Sequence, residues 1–123
     1  MFIKIKKNCG ILMENNAMDQ GIVVPVSSNF LINLNQVAEI SFYTLKESKK
    51  RQNIDHAELV IPTNTRVIHL TMDYRYESHQ EDRPGVFNRQ VNQRAYYKLF
   101  FLPECPGQYE ELRGYIEQQV LNL

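Results

Sequence analysis

Residues 95–123 constrain the fold more than any other part of this chain. The run Ala95-Tyr96-Tyr97-Lys98-Leu99-Phe100-Phe101-Leu102 is aromatic and apolar on both alternating faces, which reads as a strand buried on both sides or lying at a contact. Pro103, Pro106 and Gly107 then stop it, because proline gives a ladder no donor. From Gln108 the period changes. Tyr109, Leu112, Ile116, Val120 and Leu123 follow at steps of three and four, the stripe of an amphipathic helix. Glu110, Glu111, Arg113, Glu117 and Gln118 take its other side, with the two early glutamates near the positive end of the helix dipole. A helix with one apolar side must cover something, and the earlier strands have to supply it.

The earlier chain is mostly short strands. Residues 2–7 alternate weakly and read as a first strand, residues 9–13 read as a second short strand, residues 14–21 are polar and read as a loop, and Ile22-Val23-Val24 is a short run ended by Pro25. Phe30, Ile32 and Leu34, then Ala38, Ile40 and Phe42, each show the period of a half-buried strand. Asn35-Gln36 between them predicts a hairpin. Residues 46–55 read as a charged hairpin tip carrying Lys46, Lys49, Lys50 and Arg51. A strand at 57–61 precedes a longer one at 66–77, with Ile68, Leu70, Met72, Tyr74 and Tyr76 on one face. Residues 78–94 read as a long polar loop with a turn at Arg83-Pro84-Gly85, and loops of that length are usually functional or mobile. About seven mostly antiparallel strands and one terminal helix predict a mainly β, α+β single domain over residues 1–123. Its expected form is a bent sheet or partly open barrel covered by the helix.

That order of seven strands and a C-terminal amphipathic helix resembles the pleckstrin-homology-like barrel. Residues 30–40, Phe-Leu-Ile-Asn-Leu-Asn-Gln-Val-Ala-Glu-Ile, also resemble a pattern in small bacterial single-domain β proteins. The resemblance implies a binding scaffold rather than an active site. Membrane-binding members of the pleckstrin family carry a basic motif in the first hairpin. Here Lys6 and Lys7 alone stand there, which argues against inositol-lipid binding.

Charge and cysteine content narrow the classes. The chain has 123 residues, with 14 basic and 14 acidic side chains and zero formal net charge. Nothing global draws it to nucleic acid or an anionic membrane, and weak charge repulsion favours self-association, so a homo-oligomer is one expectation. Two cysteines without a Cys-x-x-Cys pattern fit a reducing, cytoplasmic setting. The first seven residues lack the apolar segment of a signal peptide, and no apolar run reaches membrane-spanning length.

No pattern of catalysis or cofactor binding emerges. His56, His69 and His79 lack metal-ligand spacing, and at about 3.3 Å per residue Asp73 stands ~13 Å along the strand from His69. Cys105 precedes the helix, where a thiol pKa can fall, yet no patterned histidine base accompanies it. Asp73, Glu77, Glu81 and Asp82 sit near Arg75 and Arg83, which reads as surface pairing. There is no Gly-rich phosphate loop or nucleophile elbow, and no cofactor is expected. Three readings follow. The first is a non-enzymatic protein-binding or scaffold module, of the kind a phage or mobile element uses against a host system. It presents the 78–94 loop, with Arg83, Phe87, Arg89 and Arg94 as contact candidates, and a strand edge. The second is a nucleic-acid binder using Lys46, Lys49, Lys50 and Arg51, with Tyr96, Tyr97, Phe100 and Phe101 as a stacking platform. The third is a small enzyme with Cys105 or the Asp73–Glu77 pair in its site.

Overall fold

The computed structural model describes residues 1–7, 10–15, 22–81, 88–104 and 107–121, without the side chains of 76–81, 88–93 and 120–121. The strands are β1 (Phe2–Ile5), β2 (Ile11–Asn15), β3 (Val24–Pro25), β4 (Phe30–Asn33), β5 (Val37–Thr44), β6 (Lys49–Gln52), β7 (Glu58–Ile61), β8 (Arg66–Glu81) and β9 (Asn88–Phe101). One helix follows, α1 (Gly107–Leu121). The mainly β, α+β class with a C-terminal covering helix is therefore the fold.

A five-stranded sheet in the order β3-β2-β9-β8-β5 forms the middle layer, every pairing antiparallel. The aromatic strand β9 lies at its centre, as its two apolar faces require. Strand alternation sends Leu99 and Phe101 to one face and Phe100 to the other, and all three are buried. The inner face packs on α1 and on the two-stranded β1–β4 sheet. Its core joins Ile3, Ile5 and Ile32 to Ile68, Leu70, Met72, Leu99 and Phe101, and to Tyr109, Leu112 and Ile116 of the helix. Phe101 and Tyr109 meet edge to face, with ring centroids 5.5 Å apart, a favoured aromatic geometry. The outer face is covered at one end by the β6–β7 hairpin. There Leu45 and Ile61 bury Leu12, Val67 and Phe100 in a second core. Among the described residues the sheets do not close into a barrel.

Ion pairs lace the solvent side of the helix. Lys6 Nζ lies 3.0 Å from Glu111 Oε1, and Arg66 donates to Glu110. Arg113 donates to Glu117 at 2.8 Å and to the Tyr109 hydroxyl at 2.9 Å, while its guanidinium sits 4.8 Å from the Phe42 ring centroid. These exposed pairs orient the helix and contribute little stability individually.

Four expectations are corrected. The predicted 30–43 hairpin does not form: β4 pairs with β1, and β5 pairs with β8. A 3-10 turn at Leu34–Gln36, capped by the Asn33 side chain accepting from Asn35 N–H at 3.0 Å, carries the chain from the small sheet to the large one. The Lys46–Arg51 region is not a hairpin tip, because Lys49, Lys50 and Arg51 form β6 and pair with β7. Glu14 and Asn15 belong to β2 rather than to a loop. The predicted 78–94 loop is largely strand. β8 and β9 stay paired from Arg75↔Arg94 to Glu81↔Asn88, beyond the rungs that β2 and β5 reach, as a two-stranded ribbon. Backbone pairing does not require apolar alternation, and residues 78–94 show none.

The helix cover is testable. Leu112→Ala, deep in the inner core, should lower the urea unfolding free energy by roughly 2–5 kcal/mol, whereas Gly114→Ala, mid-helix with open space around the added methyl, should raise it by about 0.5–1 kcal/mol.

Candidate binding surface

Two surfaces on the large sheet combine accessible side chains with defined geometry. The first is the half of the outer face that the β6–β7 hairpin leaves uncovered. The register aligns Glu14 with Lys98, Lys98 with His69, and His69 with Ser41, a polar row across four strands. Glu14 is only 4% exposed, so its charge needs partners. Tyr96 Oη donates to Glu14 Oε2 at 2.9 Å, Arg51 Nε donates to Oε1 at 3.2 Å, and Lys98 Nζ stands 3.8 Å from Oε2. His69 meets the Tyr96 ring edge-on, with centroids 5.6 Å apart.

These contacts set the titration of the row. Burial first, then the Glu14 charge and its hydrogen bond, push the Tyr96 phenol up to about 12. Burial, then Glu14, raises Tyr43 as well. Burial first, then the Lys98 ammonium, hold His69 below the ordinary histidine value. The row ties β2, β6 and β9 together, and its charges face one another. It locks the β6–β7 hairpin in place and offers no unpaired nucleophile or acid.

The second surface is the β5 edge. β5 pairs with β8 and has no second strand neighbour among the described residues. Its Ile40 and Phe42 side chains, with Leu34, Val37 and Ile116, line a groove of about 710 Å³ between the strand and α1, with Glu117 at the rim. The backbone of an edge strand is a ready template for another chain. The groove beside it accepts the alternate side chains such a chain would bring.

Known proteins do not place this chain. No family model, no curated protein and no solved structure matches it.

The sequence candidates scatter. Arg83 and Phe87 lie outside the described residues, as do Cys9, Asp82 and Cys105. Arg89 is in β9, its backbone opposite Gln80. Arg94 serves the fold: its Nε donates to the Met72 carbonyl at 2.9 Å, where the β8–β9 register shifts, and its guanidinium is 3.7 Å from Asp73. Asp73 is thus a surface pair member, and the Glu77 side chain is undescribed. The basic cluster is divided. Arg51 turns inward onto Glu14, while Lys50, on the opposite face, stands 3.9 Å from Glu58; Lys46 and Lys49 are exposed. The aromatic residues make no open platform. Phe100 and Phe101 are buried, Tyr96 is bonded to Glu14, and Tyr97 stacks 6.5 Å from Phe30. His69 is half-buried. Among the described residues no cluster of His, Cys, Asp and Glu could hold a metal, and no helix is long and apolar enough to cross a membrane. Glu14 was missed because its partners lie 37 and 82 positions away, beyond any local pattern.

The row predicts opposite pH effects at the two ends of the scale. Tyr96 keeps its proton when folded, so its contribution is complete below pH 10 and fades as pH rises through about 12. His69 resists protonation when folded, so its contribution is complete above the ordinary histidine value and fades as pH falls below it. Glu14→Gln should make the Tyr96 absorbance titrate at lower pH and cost about 1.5–3 kcal/mol in a denaturant melt. His69→Gln should flatten the acid limb of a stability profile. A Tyr96 titration unmoved by Glu14→Gln would contradict the assigned hydrogen bond.

Proposed function

We propose that this chain is a non-enzymatic protein-binding or scaffold module. Its contact surface is the open β5 edge with the adjoining groove, where it takes a protein segment in extended conformation. One observation carries the reading: an eight-residue strand, with no second strand neighbour among the described residues, lies directly beside an apolar groove. Main-chain hydrogen bonds along such an edge supply affinity, and pockets for alternate side chains supply selectivity. The resemblance to pleckstrin-homology-like domains points the same way, toward a scaffold that binds. Nucleic-acid binding through Lys46, Lys49, Lys50 and Arg51 has less support, because the charges of Arg51 and Lys50 are offset within the chain.

A photo-crosslinking residue placed at position 41 of the full chain, in the source cell, should give a discrete protein adduct. The same residue at position 63, on the turn after β7, should give none. Ile40→Lys should reduce the adduct about tenfold, the equivalent of ~1.4 kcal/mol. No adduct at position 41, or equal adducts at both positions, would remove the β5 edge as the contact surface.

A further inference from the structure

The geometry points to a second copy of this chain as the occupant of the β5 edge. β5 of one copy pairs antiparallel with β5 of the other about a two-fold axis centred on Ser41, which joins two five-stranded sheets into one continuous sheet. This inference rests on reading β5 as the contact edge.

Charge sets the register. Glu39 is the single charged residue in Val37–Thr44, and like charges directly opposite each other destabilise a strand pair. Centring the pair on Ser41 puts Glu39 of each copy opposite Tyr43 of the other. The two carboxylates then stand four positions apart, ~13 Å along the strand, more than a Debye length of about 10 Å at 0.1 M salt. Each carboxylate gains a neighbouring phenol, and Tyr43 is among the larger apolar side chains left exposed, at 38%. Centring on Ile40 instead would bring the two glutamates to diagonal positions, about 7–8 Å apart.

Shape agrees with that register. On the inner face Ile40 falls opposite Phe42 of the other copy, twice by symmetry, an aliphatic–aromatic pair of the kind that stabilises sheets. These two side chains also line the groove, so one contact covers both copies' apolar surface beside the strand. The two ends of the sheet differ in protection. β3, at the far edge, is two residues long and includes Pro25. β5 is eight residues long with no proline, lysine or arginine, three residues that help keep an edge from pairing, and its one irregularity falls between Val37 and Glu39, to one side of the Ile40–Phe42 centre. Zero net charge leaves no long-range repulsion between copies.

Sedimentation equilibrium of the full chain across the micromolar range should show a monomer–dimer equilibrium. Tyr43→Glu, which places a second carboxylate opposite Glu39, should weaken the dimer at least about tenfold, or ~1.4 kcal/mol. Adding Glu39→Lys to it should restore the dimer, because each lysine then meets a glutamate. Circular dichroism should show the fold kept in both variants; Tyr43→Glu adds a carboxylate that faces Glu14, so its urea midpoint should fall, and the association constants are compared where each protein is fully folded. A dimer insensitive to Tyr43→Glu, or one that Glu39→Lys fails to rescue, would overturn the pairing. So would a monomer at every concentration. If the chain is a monomer while position 41 crosslinks to a different protein, the edge reading stands and the second copy is excluded. If there is neither dimer nor adduct, both readings fall.

Discussion

Burial of β9 on both faces is the constraint on which the rest of the structure depends. A strand apolar on both sides cannot sit at an edge or face water, so it draws a layer over each surface. On one side Leu99 and Phe101 lie beneath α1 and the small β1–β4 sheet; on the other Phe100 lies beneath the β6–β7 hairpin. The hairpin covers only part of the outer face. Where it stops, the apolar rows give way to Glu14, Lys98, Tyr96 and His69. The buried Glu14 carboxylate, held by Tyr96 and Arg51, marks that boundary and fastens the cover to the sheet.

The parts of the fold legible in the sequence were those with strong apolar contrast. The helix was plain from Tyr109, Leu112 and Ile116, and all three are buried. The central strand was plain from its two apolar faces. Contrast tells which face of a strand is buried, but not which strand lies beside it. The segments at 30–33 and 37–44 each carry the period of a strand, yet they belong to different sheets. The hydrogen bond from Leu34 N–H to the Met1 carbonyl and the capped turn after it decide that separation. The β8–β9 ribbon was misread for the converse reason. Its strands keep a backbone register, and backbone pairing leaves no mark on side-chain pattern.

The candidate site was less legible than the fold. Edge status belongs to the whole sheet: β5 is open because β4 left it for β1. A strand edge was among the expected contact surfaces, but its identity required the strand order. The polar row was invisible for a related reason, since Glu14, Arg51 and Tyr96 come together only after three separate segments have been placed. The basic cluster shows the opposite error. Lys49, Lys50 and Arg51 are adjacent in sequence, and strand alternation turns Lys50 and Arg51 to opposite faces.

The pairing of β2 with β9 has a consequence for how the chain reaches this structure. Ile11 lies opposite Phe101, so the second strand finds its neighbour only after all the segments between them are available. The β8–β9 and β6–β7 hairpins join neighbouring segments and can close early. β2 must then add across a large loop, and loop-closure entropy makes such non-local pairings slow. During synthesis the N-terminal strands emerge first and wait longest, with Ile3, Ile5 and Ile11 lacking their final cover until α1 is made. The long loop makes β2 the strand expected to dock after the two hairpins.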